Sequence, residues 1–353
     1  MVNLILVFLS LIFLIILHEL SHFLAAKKFK VFVEEFGIGY PPRIFGKKIG
    51  ETIYSINLLP FGAFVKLEEE IGRERGFAAQ PISKRAIIVL AGVISFWLIS
   101  CLIFIFLFKF GTPVAIDDEE ISENARVEII GIAKNSPAKI GGLKVGDRIE
   151  ELKIRDSVFK IEKVKELQKL IQEHKGEKIV LKIERGKEVF ELELVPRVSP
   201  PEGEGPLGIV LARIEVKKYS LFESIGKGIE TTLEMTFSIL KGYFLAIENF
   251  LKGKPTGVEL TGPVGIFEIM FETSKLGWGY FFNLLATISI YLAIFNLLPI
   301  PALDGGKLLF LGIEIIRKKP VNEETERKVT ALFFTLLIIL MIFVTIKDIA
   351  RLF

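Results

Sequence analysis

The 353-residue sequence has one cysteine and three histidines, and its 45 basic and 42 acidic side chains leave a formal net charge of only +3. One cysteine excludes an internal disulfide, and Cys101, set in an apolar run, reads as a small packing residue. A near-neutral charge balance offers no basic surface for nucleic acid, so none is expected as a partner. The first apolar stretch has no basic residues ahead of it and is too long for a signal-peptide core. Cleavage near Ala25–Ala26 would also discard two of the three histidines. It is therefore read as a retained span and not as a leader.

Apolar residues collect near 3–26, 86–108, 280–303 and 329–346. Each run is about long enough to cross a hydrocarbon core of roughly 30 Å as a helix. A long stretch of ordinary soluble composition separates the second run from the third. The fold class expected is a polytopic α-helical membrane protein with four transmembrane helices and one soluble insertion. Lys27, Lys28, Lys30, Arg43, Lys47 and Lys48 follow the first span, and Lys84 and Arg85 precede the second. Arg317, Lys318, Lys319, Arg327 and Lys328 precede the fourth, whereas "GTPVAIDDEEISENA" after the second has no base at all. The excess of positive charge assigns the two basic loops to the cytoplasm and the termini and soluble domain to the outside.

His18, Glu19 and His22 interrupt the first run, where ionisable side chains are costly. Residues four apart on a helix share a face, so both imidazoles can address one ion, with Glu19 beside that face to take a proton from water. Zinc suits two imidazoles plus one oxygen ligand, with a fourth position open, and one ion per chain is expected. Two core histidines satisfied by neighbouring backbone would be the bland alternative, but the motif carries a mechanism and uses two of the three histidines available.

A third ligand is required. No further histidine follows closely, His174 falls in the soluble region, and the second and fourth spans offer no carboxylate. Elimination picks Asp304 in "NLLPIPALDGG", at the same membrane end as the histidines; Glu34 and Glu35 are weaker candidates, lying beyond the span near bases that can pair with them. Pro299 and Pro301 break the helix, and broken backbone at membrane depth is tolerated where it is buried or lines a wet cavity. Asn296 is read evenly as a donor to a substrate oxyanion or backbone, or as a cap on the broken helix. Helix rise puts the ion roughly 8–14 Å inside the cytoplasmic boundary.

HELSH at 18–22, NLLPIPALDGG at 296–306 and LTGPVGIFEI at 260–269 together resemble the site-2 protease family of intramembrane zinc metalloproteases, in the bacterial RseP-type form with a single PDZ-like domain. The resemblance covers nearly the whole chain. It implies His18, His22 and Asp304 as zinc ligands, Glu19 as catalytic base and Asn296 as a substrate-facing residue. The chain departs from the family at "AGVISF", 91–96, where Gly-Pro and a nearby Asn are usual, and at "LPFGAFVK", 59–66, where Ala63 and Phe64 replace Gly and Tyr.

The loop after the first span mixes Gly and Pro with β-prone runs such as "ETIYSI". A plain solvated loop is one reading; the resemblance implies a membrane-dipping β-element whose edge holds unwound substrate by strand addition, with Gly62, Ala63 and Phe64 as substrate-binding residues. In the soluble insertion, "SPAKIGGLKVGDRIEEL", the helical "EKVKELQKLIQEH" and two strands about a Gly turn resemble a bacterial PDZ domain of α+β type, with "GPLGI" at 205–209 placed as its peptide loop. Whether it binds a peptide end or screens bulky substrates is left open by the sequence.

The organisation expected is a first span over 1–28, a cytoplasmic loop with the β-element over 29–85 and a second span over 86–110. A PDZ-like domain at 115–213 and an amphipathic membrane-surface helix with linker at 219–279 follow. A broken third span at 280–311, a cytoplasmic loop at 312–328 and a fourth span at 329–353 complete it. The function expected is cleavage, within the membrane, of single-span proteins such as anti-sigma factors or of remnant signal peptides. That activity implies the lipid bilayer as surroundings, a bacterial cytoplasmic (inner) membrane location, and a peptide ligand for the PDZ-like domain. Two alternatives compete, a non-enzymatic PDZ-bearing adaptor and a metal transporter. A structural zinc site would be closed by four protein ligands, and a transporter would carry ligands along several spans; neither pattern is present.

Overall fold

The computed structural model describes residues 2–68, 75–186, 188–254, 256 and 260–352. The chain divides into two compact units: Met1–Ile105, Ile225–Phe271 and Phe282–Phe353 form one, and Phe106–Ser224 with Glu272–Phe281 the other.

The first unit opens with helix α1 (Val2–Lys28), followed by strands β1 (Val33–Ile49) and β2 (Thr52–Leu67) and helix α2 (Ile82–Phe110). β1 and β2 are longer than a simple hairpin needs because each bends. Residues 33–38 pair both with 63–67 and with 53–56, while 43–49 pair with 52–57. Two chain segments thus make four short runs, ordered 43–49, 52–57, 33–38, 63–67; the two outer pairings are antiparallel, the central one of 52–57 with 33–38 advances in parallel, and among the described residues 63–67 lies on an edge. The bends fall at Gly39 and Gly62, whose φ of 77° and 94° lie in the left-handed region that favours glycine. Glu35 sits inside this sheet, accepting from Ser55 Oγ at 2.5 Å and pairing with Arg43.

The second unit is the soluble insertion. Its elements are β3 (Thr112–Ile116), β4 (Arg126–Ile132), α3 (Pro137–Ile140), β5 (Arg148–Ile154), β6 (Ser157–Lys160), α4 (Val164–Glu173), β7 (Ile179–Arg185), β8 (Glu188–Leu194) and β9 (Ile209–Lys217). The strands order as β3-β9-β4-β5-β7-β8, with β6 on β5. Alternating inward residues such as Ile179, Leu181 and Ile183 close the core with Leu167 and Ile171 of α4. The sheet begins at Thr112 and ends at Lys217, slightly outside the 115–213 expected, because β3 pairs Thr112–Ile116 with Arg213–Lys217. Asp118 then accepts from the backbone N–H groups of Val164 and Lys165 at 3.0 and 2.8 Å, capping α4.

The remaining helices are α5 (Leu221–Leu251), α6 (Pro263–Leu276), α7 (Trp278–Leu297), α8 (Asp304–Arg317) and α9 (Glu323–Leu352). The expected single helix with linker over 219–279 is therefore two helices. Pro263, at the first position of α6, supplies a preset φ where its missing N–H matters least. α5 runs antiparallel along α2: Gly228 meets Cys101 and Ile105, and Thr236 accepts from Trp97 Nε1 at 3.1 Å. A side chain at Gly228 would strike the Ile105 side chain and crowd the α2 backbone, so this glycine permits the close approach.

Among the described residues four helices, α1, α2, α7 and α9, are long and apolar enough to cross a membrane. The third expected span is a helix that ends at Leu297 and restarts at Asp304, and α9 begins at Glu323, earlier than the 329 expected. Ser289 Oγ donates to the Phe96 carbonyl at 2.8 Å, joining α7 to α2, and Arg85 pairs with Glu314 at 2.6 Å, joining α2 to α8.

Candidate active site

Helical spacing places the His18 and His22 rings together, with centroids 4.7 Å apart and Nε2 atoms at 3.3 Å. His22 Nδ1 lies 2.8 Å from the Ile88 carbonyl oxygen of α2. A carbonyl can only accept, so Nδ1 carries the proton and Nε2 presents a lone pair. His18 is held by stacking on Phe96, with centroids 4.6 Å apart and planes 14° from parallel. Both rings lie against Gly92, where any Cβ would collide with His22 Nε2.

Asp304 reaches the same point from α8. The chain breaks after α7 and folds back so tightly that a Cβ on Gly305 would strike the Leu297 and Leu298 carbonyls, and one on Gly306 the Ile300 carbonyl. That turn delivers Asp304 Oδ2 to 3.4 Å from His18 Nε2 and 3.2 Å from His22 Nε2. Apart from these imidazoles the oxygen has no hydrogen-bond partner among the described residues, though it is buried.

The three donor atoms fit a small dication. Ligands about 2.0–2.1 Å from a tetrahedral zinc stand about 3.3–3.4 Å apart, and here the three separations are 3.3, 3.4 and 3.2 Å. These residues form a group capable of holding a metal among the described residues. Glu34 and Glu35 are spent elsewhere, on Lys66 at 2.5 Å and on Arg43. His174 Nδ1 lies 2.9 Å from the Leu170 carbonyl in the soluble unit.

A cavity of about 220 Å³ opens beside the three donors, lined by Glu19, His22 and Asp304 together with Tyr40, Ala63, Phe64, Val65, Phe77 and Lys307 among others. The Glu19 carboxylate is hydrogen-bonded to the Val65 backbone, whose N–H is the group that can donate. The edge run 63–67 therefore forms one wall of the cavity.

The sequence profile of Peptidase family M50 matches residues 6–340. The chain belongs to Peptidase family M50, the site-2 protease family. M50 relatives align along nearly the full length. A putative zinc metalloprotease of Clostridium perfringens is 34% identical over 340 residues, covering 95% of each chain. Zinc metalloprotease RasP of Geobacillus kaustophilus is 28% identical over 423 residues, 96% of each. The regulator of sigma-W protease RasP of Bacillus subtilis is 26% identical over 425 residues, again 96% of each. This M50 chain is a multi-pass intramembrane zinc metalloprotease, and the adaptor and transporter readings fall away.

Of the residues read from the M50 motifs, His18, Glu19, His22 and Asp304 converge, and Ala63 and Phe64 line the cavity. Gly62 and Asn296 are not among its lining residues: Gly62 makes the bend before the edge run, and Asn296 Nδ2 donates to the Leu292 carbonyl of its own helix at 2.9 Å. Sequence reasoning missed Gly92, Phe96, Val65 and Lys307. Only Gly92 left a signal, as a lone glycine inside an apolar helix.

Proposed function

We propose that His18, His22 and Asp304 hold the zinc ion and that Glu19 is the general base of an endopeptidase acting on transmembrane segments. The observation that carries this reading is the triangle of donor atoms, 3.2–3.4 Å on a side, with Glu19 in the wall of the same cavity. Bound zinc supplies Lewis acidity, polarising the scissile carbonyl and making water acidic enough to ionise near neutral pH. Glu19 takes the proton from the attacking water and passes it to the leaving amine. The Val65 N–H orients that carboxylate, and the Ile88 carbonyl fixes the tautomer of His22.

A helical substrate hides its peptide bonds and must unwind to be cut. Among the described residues the run 63–67 has a strand on one side only, beside Glu19, which supports substrate binding there as an added strand. Ala63 and Phe64 contact the substrate in this reading; Gly62 aims the strand, and Asn296 acts from the end of α7.

The lysines and arginines beside α1, α2 and α9 support an active site towards the cytoplasm and a PDZ-like domain outside, in a bacterial inner membrane. Single-span proteins already trimmed on their outer side, anti-sigma-factor-like, and remnant signal peptides are the substrates this topology suits. The PDZ-like assignment draws support from the GPLGI loop leading into β9 and from α4 packed on the same core. β4 pairs along one side of β9 and β3 along the other at 213–217, leaving, among the described residues, that second side of 209–212 for an added strand. A short peptide end fits that length better than a long extended segment.

Glu19→Gln tests the central assignment. Cleavage of a reconstituted single-span substrate should fall to background while zinc content is retained; undiminished cleavage would remove Glu19 from the mechanism.

A further inference from the structure

Lys307 is neither a donor in the metal triangle nor the proposed base. It lies three residues after Asp304 on α8, on the face that meets the cavity, and it lines that cavity with Glu19 and His22. Its charge acts on both the Glu19 and the Asp304 carboxylates. It nevertheless forms no ion pair among the described residues; its Nζ stands 5.9 Å from the centroid of the Phe77 ring, a cation–π contact that leaves N–H donors free. The chain has many exposed lysines paired with glutamates, such as Lys153 with Glu191 at 2.6 Å and Lys160 with Glu162 at 2.7 Å. A lysine steered over an aromatic ring, in the wall holding the proposed base and a proposed ligand, is set for an anion that arrives.

Peptide hydrolysis makes such an anion. As the water oxygen bonds to the carbonyl carbon, its proton passes to Glu19 and the carbonyl π pair moves onto oxygen. Collapse returns that pair, the C–N bond breaks, and the amine leaves with the proton from Glu19. We propose that Lys307 is a further catalytic residue, its ammonium donating to the scissile carbonyl oxygen as negative charge develops there. The inference rests on the proposed site residues. A preorganised donor at that position acts in the transition state more than in the ground state, so its loss appears in kcat. The competing role, a lysine stem on apolar surface with its head in the interfacial water, predicts no kinetic effect.

The test uses the full-length enzyme in proteoliposomes with a single-span substrate, and compares Lys307→Met, Lys307→Arg and Glu19→Gln. Lys307→Met keeps the length of the side chain and should lower kcat about 10²–10³-fold with KM changed little and zinc content unaltered. Lys307→Arg should recover most of the loss, since it restores a cationic donor. Unchanged kcat in Lys307→Met would overturn the proposal, as would loss of zinc from that variant or an effect confined to KM. If Glu19→Gln is inactive while Lys307→Met is not impaired, only this inference fails; if Glu19→Gln cleaves normally, the site reading itself fails.

Discussion

Asp147, a buried carboxylate, and Asp304, a half-buried one whose Oδ2 is enclosed, lie in different units of the chain, and the protein treats them differently. Asp147 has no exposed side-chain surface, and it receives Arg185 through both oxygens at 2.6 and 2.7 Å and the Lys144 N–H at 2.8 Å. Its charge is neutralised by the chain itself. Asp304 has only two imidazoles near Oδ2, and no arginine or lysine pairs with it among the described residues. A buried charge without a partner is costly. The contrast separates a carboxylate that supports a fold from one that awaits a cation, and it needs no knowledge of the family.

The comparison can be broken most severely at Asp304. Asp304→Asn should lose zinc and cleavage together, at least about 10³-fold in rate, because hydrolysis depends on the ion. Its thermal stability should no longer respond to a chelator, whereas the wild-type protein should be destabilised by chelation, since an ion bound only to the native state stabilises it by mass action. A mutant that keeps stoichiometric zinc by elemental analysis would erase the distinction between the two aspartates.

Asp147 should behave in the opposite way. Arg185→Met leaves that carboxylate buried without its cation, and should cost roughly 3–5 kcal/mol of stability in the soluble unit. Zinc content should not change. Denaturant unfolding followed by a probe in that unit, alongside metal analysis, measures both, and a stability loss below about 1 kcal/mol would mean that the buried pair is structurally idle.

The smallest effect belongs to a third carboxylate, Glu51, which is exposed at the turn between β1 and β2. Arg75, bonding at 2.7 and 2.8 Å, and Lys27 at 3.2 Å hold its carboxyl down at about 2. A folded pKa below the ordinary 4.5 means the stabilisation is present above about 4.5 and is lost as pH falls towards about 2. Solvent screening keeps it small. Glu51→Gln should therefore lower thermal stability slightly at neutral pH and flatten its acid limb, the difference from wild type vanishing as pH falls towards about 2; an equal loss at all pH values would point to packing instead.

These differences trace what was legible beforehand. His18, Glu19 and His22 could be read because their spacing is local and ionisable groups are conspicuous in an apolar helix. Asp304 could be read because so few carboxylates lie in or beside the spans. Val65 could not be found: it contributes a backbone N–H, and only the bending of β1 and β2 at Gly39 and Gly62 brings that group to Glu19. Phe96 looks like an ordinary apolar-helix residue until α1 and α2 pack, and Gly92 stands out only as a glycine inside a helix; the role of both is shape against the imidazoles. α6 is a separate helix within the 219–279 segment read as one amphipathic helix with linker; the sequence sign of its start is Pro263, at a first helical position where proline begins a helix.

The account turns on where zinc sits, and diffraction from crystals of the zinc-loaded enzyme, collected on both sides of the zinc absorption edge, locates the ion directly. One anomalous peak enclosed by His18 Nε2, His22 Nε2 and Asp304 Oδ2 is the result expected. A peak ligated by other residues, with the Asp304 carboxylate turned away from the imidazoles, would contradict it.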